Sequence, residues 1–257
     1  MSPDPNLEVY ERTDVVDAYL HHHQLTKGER LLFTRHAGDY KGRKVLDLGV
    51  GAGRTTPALA ALAGEYWGID YSLAMVEACK SRFADLGNAR FLQDDARGLS
   101  HCPDSYFDVA VFSFNGIDVV DMAGREAVLQ AVRRVLKPGG IFVFSFHNAG
   151  YLEELYQYHW QKNPLRWWPN YQRKQHIHSL NGPKDQYQGK SYFFLKDGGE
   201  DFRLDICYIV PTHQLQMLDV AGYRLEQAVA SLSGKEVSPD ALDASDACWL
   251  YYRCRKI

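Results

Sequence analysis

At 257 residues, with 46% hydrophobic and 24% charged side chains, the chain suits one large α/β domain burying about 70–75% of its unfolded surface. A net charge of −3 argues against a general nucleic-acid binder. The longest apolar runs, around 109–114 and 141–146, are too short to span a membrane, and the five scattered cysteines form no CxxC pair that would mark a structural zinc.

The first residues carry neither a basic start nor an apolar core, so a reduced, cytoplasmic protein without a signal peptide is expected. Residues 1–14 read as irregular. Helical patterns run over 15–20 and 29–33, broken near Lys27 and Gly28, so residues 1–40 read as an N-terminal helical cover, with Tyr19 a candidate substrate contact. The His21-His22-His23 run reads as a solvated helical surface. Consecutive helical residues point in different directions and cannot converge on one ion, and no metal is expected.

Residues 44–48 form a short apolar run that breaks into Gly49, Gly51 and Gly53 and continues as an alanine- and leucine-rich stretch. This reads strand, tight turn, helix, with Thr55 or Thr56 as N-cap and Pro57 in the first turn. The glycines let the backbone approach a ligand, and the helix N-terminus offers unpaired N–H groups to the same space. A dinucleotide fingerprint wants a small residue at the sixth position, where Arg54 stands. Asp47, two residues before the first glycine, suits a cationic ligand better than a pyrophosphate.

Residues 66–70 read as a second strand ending in Asp70, placed to accept hydrogen bonds from ribose hydroxyls. Ser72 caps a helix that buries Met75, Val76 and Cys79, and residues 90–93 form a third strand ahead of Asp94, Asp95 and Ala96. The run 107–114 suits a strand buried on both faces. A loop at 115–118 follows, then a helix capped by Asp121 that stops at 137–140. Residues 141–146 are another buried strand, delivering His147 and Asn148 at its end. Such alternation specifies a parallel sheet with right-handed crossovers.

The alternation then stops. Residues 151–189 are dense in aromatics and histidine, including Trp160, Trp167 and Trp168, and read as a lid over a small-molecule pocket. Runs at 191–195 and 202–208 flank a glycine-containing loop, a hairpin, so 151–210 forms an inserted lid and hairpin within a single domain spanning 1–257. A helix from Pro211 stops at Gly222, and strands at 223–230 and 248–253 close the chain.

In order, residues 45–54, 68–72, 94–96, 135–140 and 217–223 resemble the motifs of the class I S-adenosylmethionine-dependent methyltransferases. The resemblance implies a doubly wound, seven-stranded, mostly parallel α/β sheet ordered 3-2-1-4-5-7-6, with the last strand antiparallel. It implies S-adenosylmethionine as cofactor, with Gly49, Gly51 and Gly53 against its amino-acid part, Arg54 in the same turn, and Asp47 near its ammonium. Asp70 would hold the ribose, Tyr71 and Met75 would flank the adenine, and Asp95 or Asp94 would meet the adenine amino group beside the Ala96 N–H. Main-chain atoms of Ser113 or Phe114 would touch the methionine end.

Methyl transfer from a sulfonium needs alignment, exclusion of water and, for some acceptors, removal of a proton. His147 is the candidate base, and Asn115, Asn148, Trp160 and Trp168 join Tyr19 as candidate substrate contacts. The loop after the fourth strand lacks the Pro-Pro-aromatic pattern of base-amine methylation and the nucleophilic Cys of base C5 methylation. The expectation is O- or N-methylation of a small molecule. The alternatives are an RNA or protein methyltransferase, or a non-catalytic protein that only binds the cofactor.

Overall fold

The computed structural model describes residues 5–159 and 163–257. Helices α1 (Pro5–Tyr10), α2 (Thr13–His21), α3 (Lys27–Arg35) and α4 (Ala37–Tyr40) come first. α3 starts at a capping box in which Thr26 and Glu29 each satisfy the other's backbone N–H. The alternating segment then runs β1 (Lys44–Leu48), α5 (Thr56–Ala60), β2 (Glu65–Asp70), α6 (Leu73–Arg82), β3 (Ala89–Gln93), β4 (Phe107–Phe112), α7 (Met122–Val135) and β5 (Leu136–Asn148). An insertion follows, with α8 (Leu152–Tyr156), α9 (Pro164–Asn181), β6 (Tyr192–Leu195) and β7 (Ile206–Ile209). The chain closes through α10 (Pro211–Val220), β8 (Tyr223–Ala230) and β9 (Trp249–Lys256).

β3, β2, β1, β4 and β5 lie side by side and parallel. β9 joins β5 antiparallel, and β8 lies outside β9. With β8 and β9 counted as the sixth and seventh strands of the core, the order is 3-2-1-4-5-7-6 with the last strand antiparallel, as expected. Alternate residues of β5 feed opposite faces. Phe142, Phe144 and Phe146 join one apolar core, while Ile141 and Val143 join the other. That double burial is why the strand reads as an unbroken apolar run.

The hairpin adds two more strands to the same sheet. β7 pairs parallel with the end of β5, His147 opposite Tyr208, while His147 also opposes Trp249 of β9. β7 therefore lies on the edge of β5 that β4 occupies lower down. β4 ends at Phe112, paired with Phe144, so the hairpin sits over its C-terminal end, where open α/β sheets bind ligands.

Several boundaries differ from expectation. Residues 5–10 and 13–14, read as irregular, lie in α1 and α2. α7 runs directly into β5, and Lys137–Gly140 loops out of the ladder, because register steps from Phe107–Leu136 to Val109–Ile141. The second hairpin strand starts at Ile206 rather than 202. Glu200, Asp201 and Phe202 have φ of +43°, +58° and +62°, a left-handed curl that cannot continue a strand. Among the described residues, no helix is long and apolar enough to cross a membrane.

Candidate functional site

A cavity of about 350 Å³ opens at the C-terminal ends of the parallel strands. Of the residues singled out from sequence, Tyr19, Gly49, Gly51, Asp70, Tyr71, Met75, Asp94, Asp95, Ala96, Ser113, Phe114, Asn115 and His147 line it. Gly49 and Gly51 hold φ of +59° and +54°. A Cβ on Gly49 would come within 2.7 Å of the Phe112 ring, and one on Gly51 within 2.9 Å of Tyr19. Only glycine fits there.

The Asp70 carboxylate accepts the Gly51 N–H at 2.9 Å and the Ser72 N–H at 3.0 Å. Burial outweighs these bonds and pushes its pKa up to about 6. Asp94 is spent on its own turn, taking the N–H groups of Asp95, Ser100 and His101. Asp95 faces the cavity with Arg97 beside it. From the N-terminal helices, Asn6, Tyr10 and Tyr19 reach the same space, with Tyr10 edge-on to both Tyr19 and Tyr71.

Several expected contacts lie elsewhere. Asp47 supports the glycine turn from behind, accepting the hydroxyls of Thr55 at 2.5 Å and Tyr66 at 2.7 Å. It is buried off the cavity wall, and Thr55, occupied by it, makes no side-chain cap for α5. Gly53 packs against Phe83, where a Cβ would come within 2.2 Å. Arg54 borders a smaller adjoining hollow, but its guanidinium is committed to Glu29 through bonds of 2.7 and 2.5 Å. The Asn148 amide donates to the carbonyls of Ser245 and Ala247 and its oxygen takes the Gly150 N–H, so it shapes a loop. Trp168 is 53% exposed and stacks on Tyr171, away from the cavity. Trp160 lies outside the described residues.

The far wall holds groups that sequence reading passed over. His147 Nδ1 lies 2.7 Å from Asp118, a buried carboxylate that is ion-paired in turn with buried Arg125. The hairpin brings Asp197 and Glu200 to the cavity, with Arg173 of α9 alongside. Asp197 takes the Tyr208 hydroxyl at 2.8 Å. Phe114 and Asn115 both sit in left-handed backbone, φ +56° and +62°, the kind of local strain that concentrates at working sites. The Asp-Gly-Gly-Glu tip and Asp118 after Gly116 were visible signals in sequence; Arg125, inside an ordinary helix, offered none.

The family model for a methyltransferase domain matches residues 45–140, the segment carrying the glycine turn, Asp70 and Asp95. Over that segment the chain is similar to the methyltransferase domain family. A ubiquinone/menaquinone biosynthesis C-methyltransferase of Shewanella sp. (strain ANA-3) is 34% identical over 110 residues, 40% of this chain and 42% of that protein. The chain thus spans less than half the length of the curated relatives it matches. The fold is shared more widely among methyltransferase structures. The CcbJ methyltransferase from Streptomyces caelestis has a TM-score of 0.63 at 18% identity, covering 96% of this chain and 98% of its own. An S-adenosylmethionine dependent methyltransferase from Mesorhizobium loti has a TM-score of 0.61 at 19% identity, covering 88% and 98%.

Proposed function

We propose that the chain methylates a small molecule on oxygen or nitrogen, using S-adenosylmethionine. One observation carries this reading: the glycine turn with Asp70 and the buried His147–Asp118 pair share one cavity. The cavity suits the cofactor, since Gly49 and Gly51 line it and Asp70 keeps acceptor capacity for two hydroxyls. Asp95, Tyr71 and Met75 form the part of the wall fit for a purine, and Ser113 and Phe114 the part next to the reacting end. When bound, S-adenosylmethionine supplies an electrophilic methyl on a good leaving group, so the chain needs no nucleophilic side chain.

The chain's own work is then to orient the acceptor, exclude water and take a proton at His147 Nε2. Val119, Leu204, Ile206 and Trp249 supply apolar wall for the acceptor. The hairpin supplies wall to this space alongside Arg173 of the segment 151–189 that the sequence suggested as a lid. Acidic Asp94, Asp95, Asp197 and Glu200 around this space disfavour a polyanionic acceptor such as RNA. Methylation on carbon is a second reading, favoured by the C-methyltransferase name of the Shewanella relative. Removing a ring hydroxyl proton at His147 would serve that reaction too.

The test is calorimetric titration with S-adenosylhomocysteine, followed by release of that product from S-adenosylmethionine across a metabolite panel. Failure to bind would overturn the reading; binding without any turnover would leave a cofactor-binding protein.

A further inference from the structure

Asp197 faces His147 across the cavity, and among the described residues no single donor is hydrogen-bonded to both. The Asp197 carboxylate is only 8% exposed, accepting the Gly199 N–H and the Tyr208 hydroxyl, both at 2.8 Å. Its Oδ2 lies 3.7 Å from His147 Nε2. On the other side of the ring, Asp118 is ion-paired with Arg125 and can only accept, which puts the neutral imidazole's proton on Nδ1. In that neutral form Nε2 presents a lone pair toward a carboxylate. The Asn115 amide nitrogen, 3.5 Å from Nε2, is beyond the usual hydrogen-bond distance. Arg173 donates to the Asp197 backbone carbonyl at 2.5 Å.

Two buried acceptors converging on one point are costly unless a donor joins them. A hydroxyl brings one hydrogen and turns its lone pairs toward the other acceptor. Once deprotonated it would set negative oxygen against Asp197. A protonated amine brings at least two hydrogens and a positive charge. One nitrogen can reach both atoms across 3.7 Å with hydrogen bonds of about 2.9 Å.

We propose that the acceptor is a protonated primary or secondary amine, with Asp197 as its counter-ion and His147 as its base. This rests on the methyltransferase reading above. The ammonium gives one proton to His147 Nε2, and the imidazolium formed lies between Asp118 and Asp197. The freed nitrogen lone pair forms the N–C bond to the methyl as the C–S bond breaks, its electron pair staying on sulfur. The positive charge passes from sulfonium to the methylated nitrogen. Asp197 thus sets which acceptors are used, from a hairpin that the core sheet does not require.

The experiment begins by titrating S-adenosylhomocysteine into the protein; no binding would sink the methyltransferase reading itself. Turnover is then measured with primary and secondary arylalkylamines and with phenols and alcohols of the same carbon skeletons. Amines should be the acceptors used. Asp197→Asn should raise their KM about tenfold to a hundredfold with affinity for S-adenosylhomocysteine unchanged. Tyr208→Phe, which frees Asp197 without removing it, should shift KM the same way by less. With cofactor product bound normally, the proposal is overturned by preference for hydroxyl acceptors, by amine turnover indifferent to Asp197→Asn, or by no amine being used.

Discussion

Asp118 Oδ2 accepts two hydrogen bonds from His147, one from its backbone N–H at 2.6 Å and one from Nδ1 at 2.7 Å. The same carboxylate's other oxygen takes the Arg125 guanidinium, and neither Asp118 nor Arg125 is exposed. Ring tautomer, ring orientation and charge balance therefore depend on one side chain. Asp118→Asn removes the charge and leaves Arg125 buried and unpaired, a loss of about 3–5 kcal/mol. Adding Arg125→Met should recover most of that stability in denaturant melts. Turnover should stay low in the double variant, because the imidazole is still not oriented. Recovery of turnover along with stability would reduce Asp118 to a packing role.

With Asp70 holding the ribose as proposed, cofactor affinity should depend on pH. Its carboxyl, raised to about 6 by burial, must be ionised to accept from two hydroxyls, so binding lowers its pKa and releases a proton. Affinity for S-adenosylhomocysteine should hold above pH 6 and fall as pH drops through it, about tenfold weaker at pH 5 than at pH 7. Asp70→Asn should flatten that dependence, and Asp70→Ala should cost about tenfold to a hundredfold at pH 7. In the unliganded protein the sign reverses. A raised acid contributes stability that is full below its unfolded value near 4 and lost as pH rises through about 6. Calorimetry from pH 5 to 8 checks the binding arm, and a flat wild-type profile would remove Asp70 from the ligand contacts.

The glycine turn, Asp70 and the strand-helix alternation were legible because each is written locally, within a few residues. Asp47 was not, because its partner Tyr66 lies on the neighbouring strand and turns the carboxylate away from the cavity. Arg54 sits in the motif's own turn, yet its partner Glu29 belongs to α3, and only the folded chain brings them together. The aromatic density at 151–189 suggested a substrate wall. Trp167 and Trp168 instead stack on Tyr171 along α9, while the short Asp-Gly-Gly-Glu tip reaches the cavity. Composition locates an apolar surface, but strand register decides which segment lies over β4.

Arg54 should matter for stability rather than for cofactor affinity. Glu29 is fully buried beneath it and also takes the Tyr251 hydroxyl at 2.7 Å. Burial alone would raise the Glu29 carboxyl, but the Arg54 guanidinium and the Tyr251 hydroxyl hold it below the usual range. A lowered acid contributes stability present above its unfolded value and lost as pH falls through the folded one, so this pair weakens only in acid. Arg54→Met should cost about 3–5 kcal/mol by stranding Glu29, and Glu29→Gln added to it should restore part of the loss. Affinity for S-adenosylhomocysteine should change by only a few-fold. A hundredfold loss of affinity in a stably folded Arg54→Met protein would return Arg54 to the cofactor contacts.

His147 carries the sharpest kinetic prediction. The groups facing its ring are Asp118 at Nδ1 with Arg125 behind it, and Asp197 and Tyr208 on the hairpin side. A base in this setting predicts that His147→Ala and His147→Gln lose about 10²–10⁴ in kcat at neutral pH. S-adenosylhomocysteine affinity should be preserved, since Asp70 and the glycine turn are untouched. An acceptor that must lose a proton can lose it to solvent instead, so the variants should regain rate at higher pH. For an aliphatic amine near the lysine value, about 10, the gain should be roughly tenfold per pH unit until the amine itself is neutral. The wild-type profile should flatten earlier, because Nε2 takes the proton within the complex. A loss of only a few-fold, or variants whose profiles parallel the wild type, would leave alignment of acceptor and methyl as the chain's main source of rate and His147 as a binding residue.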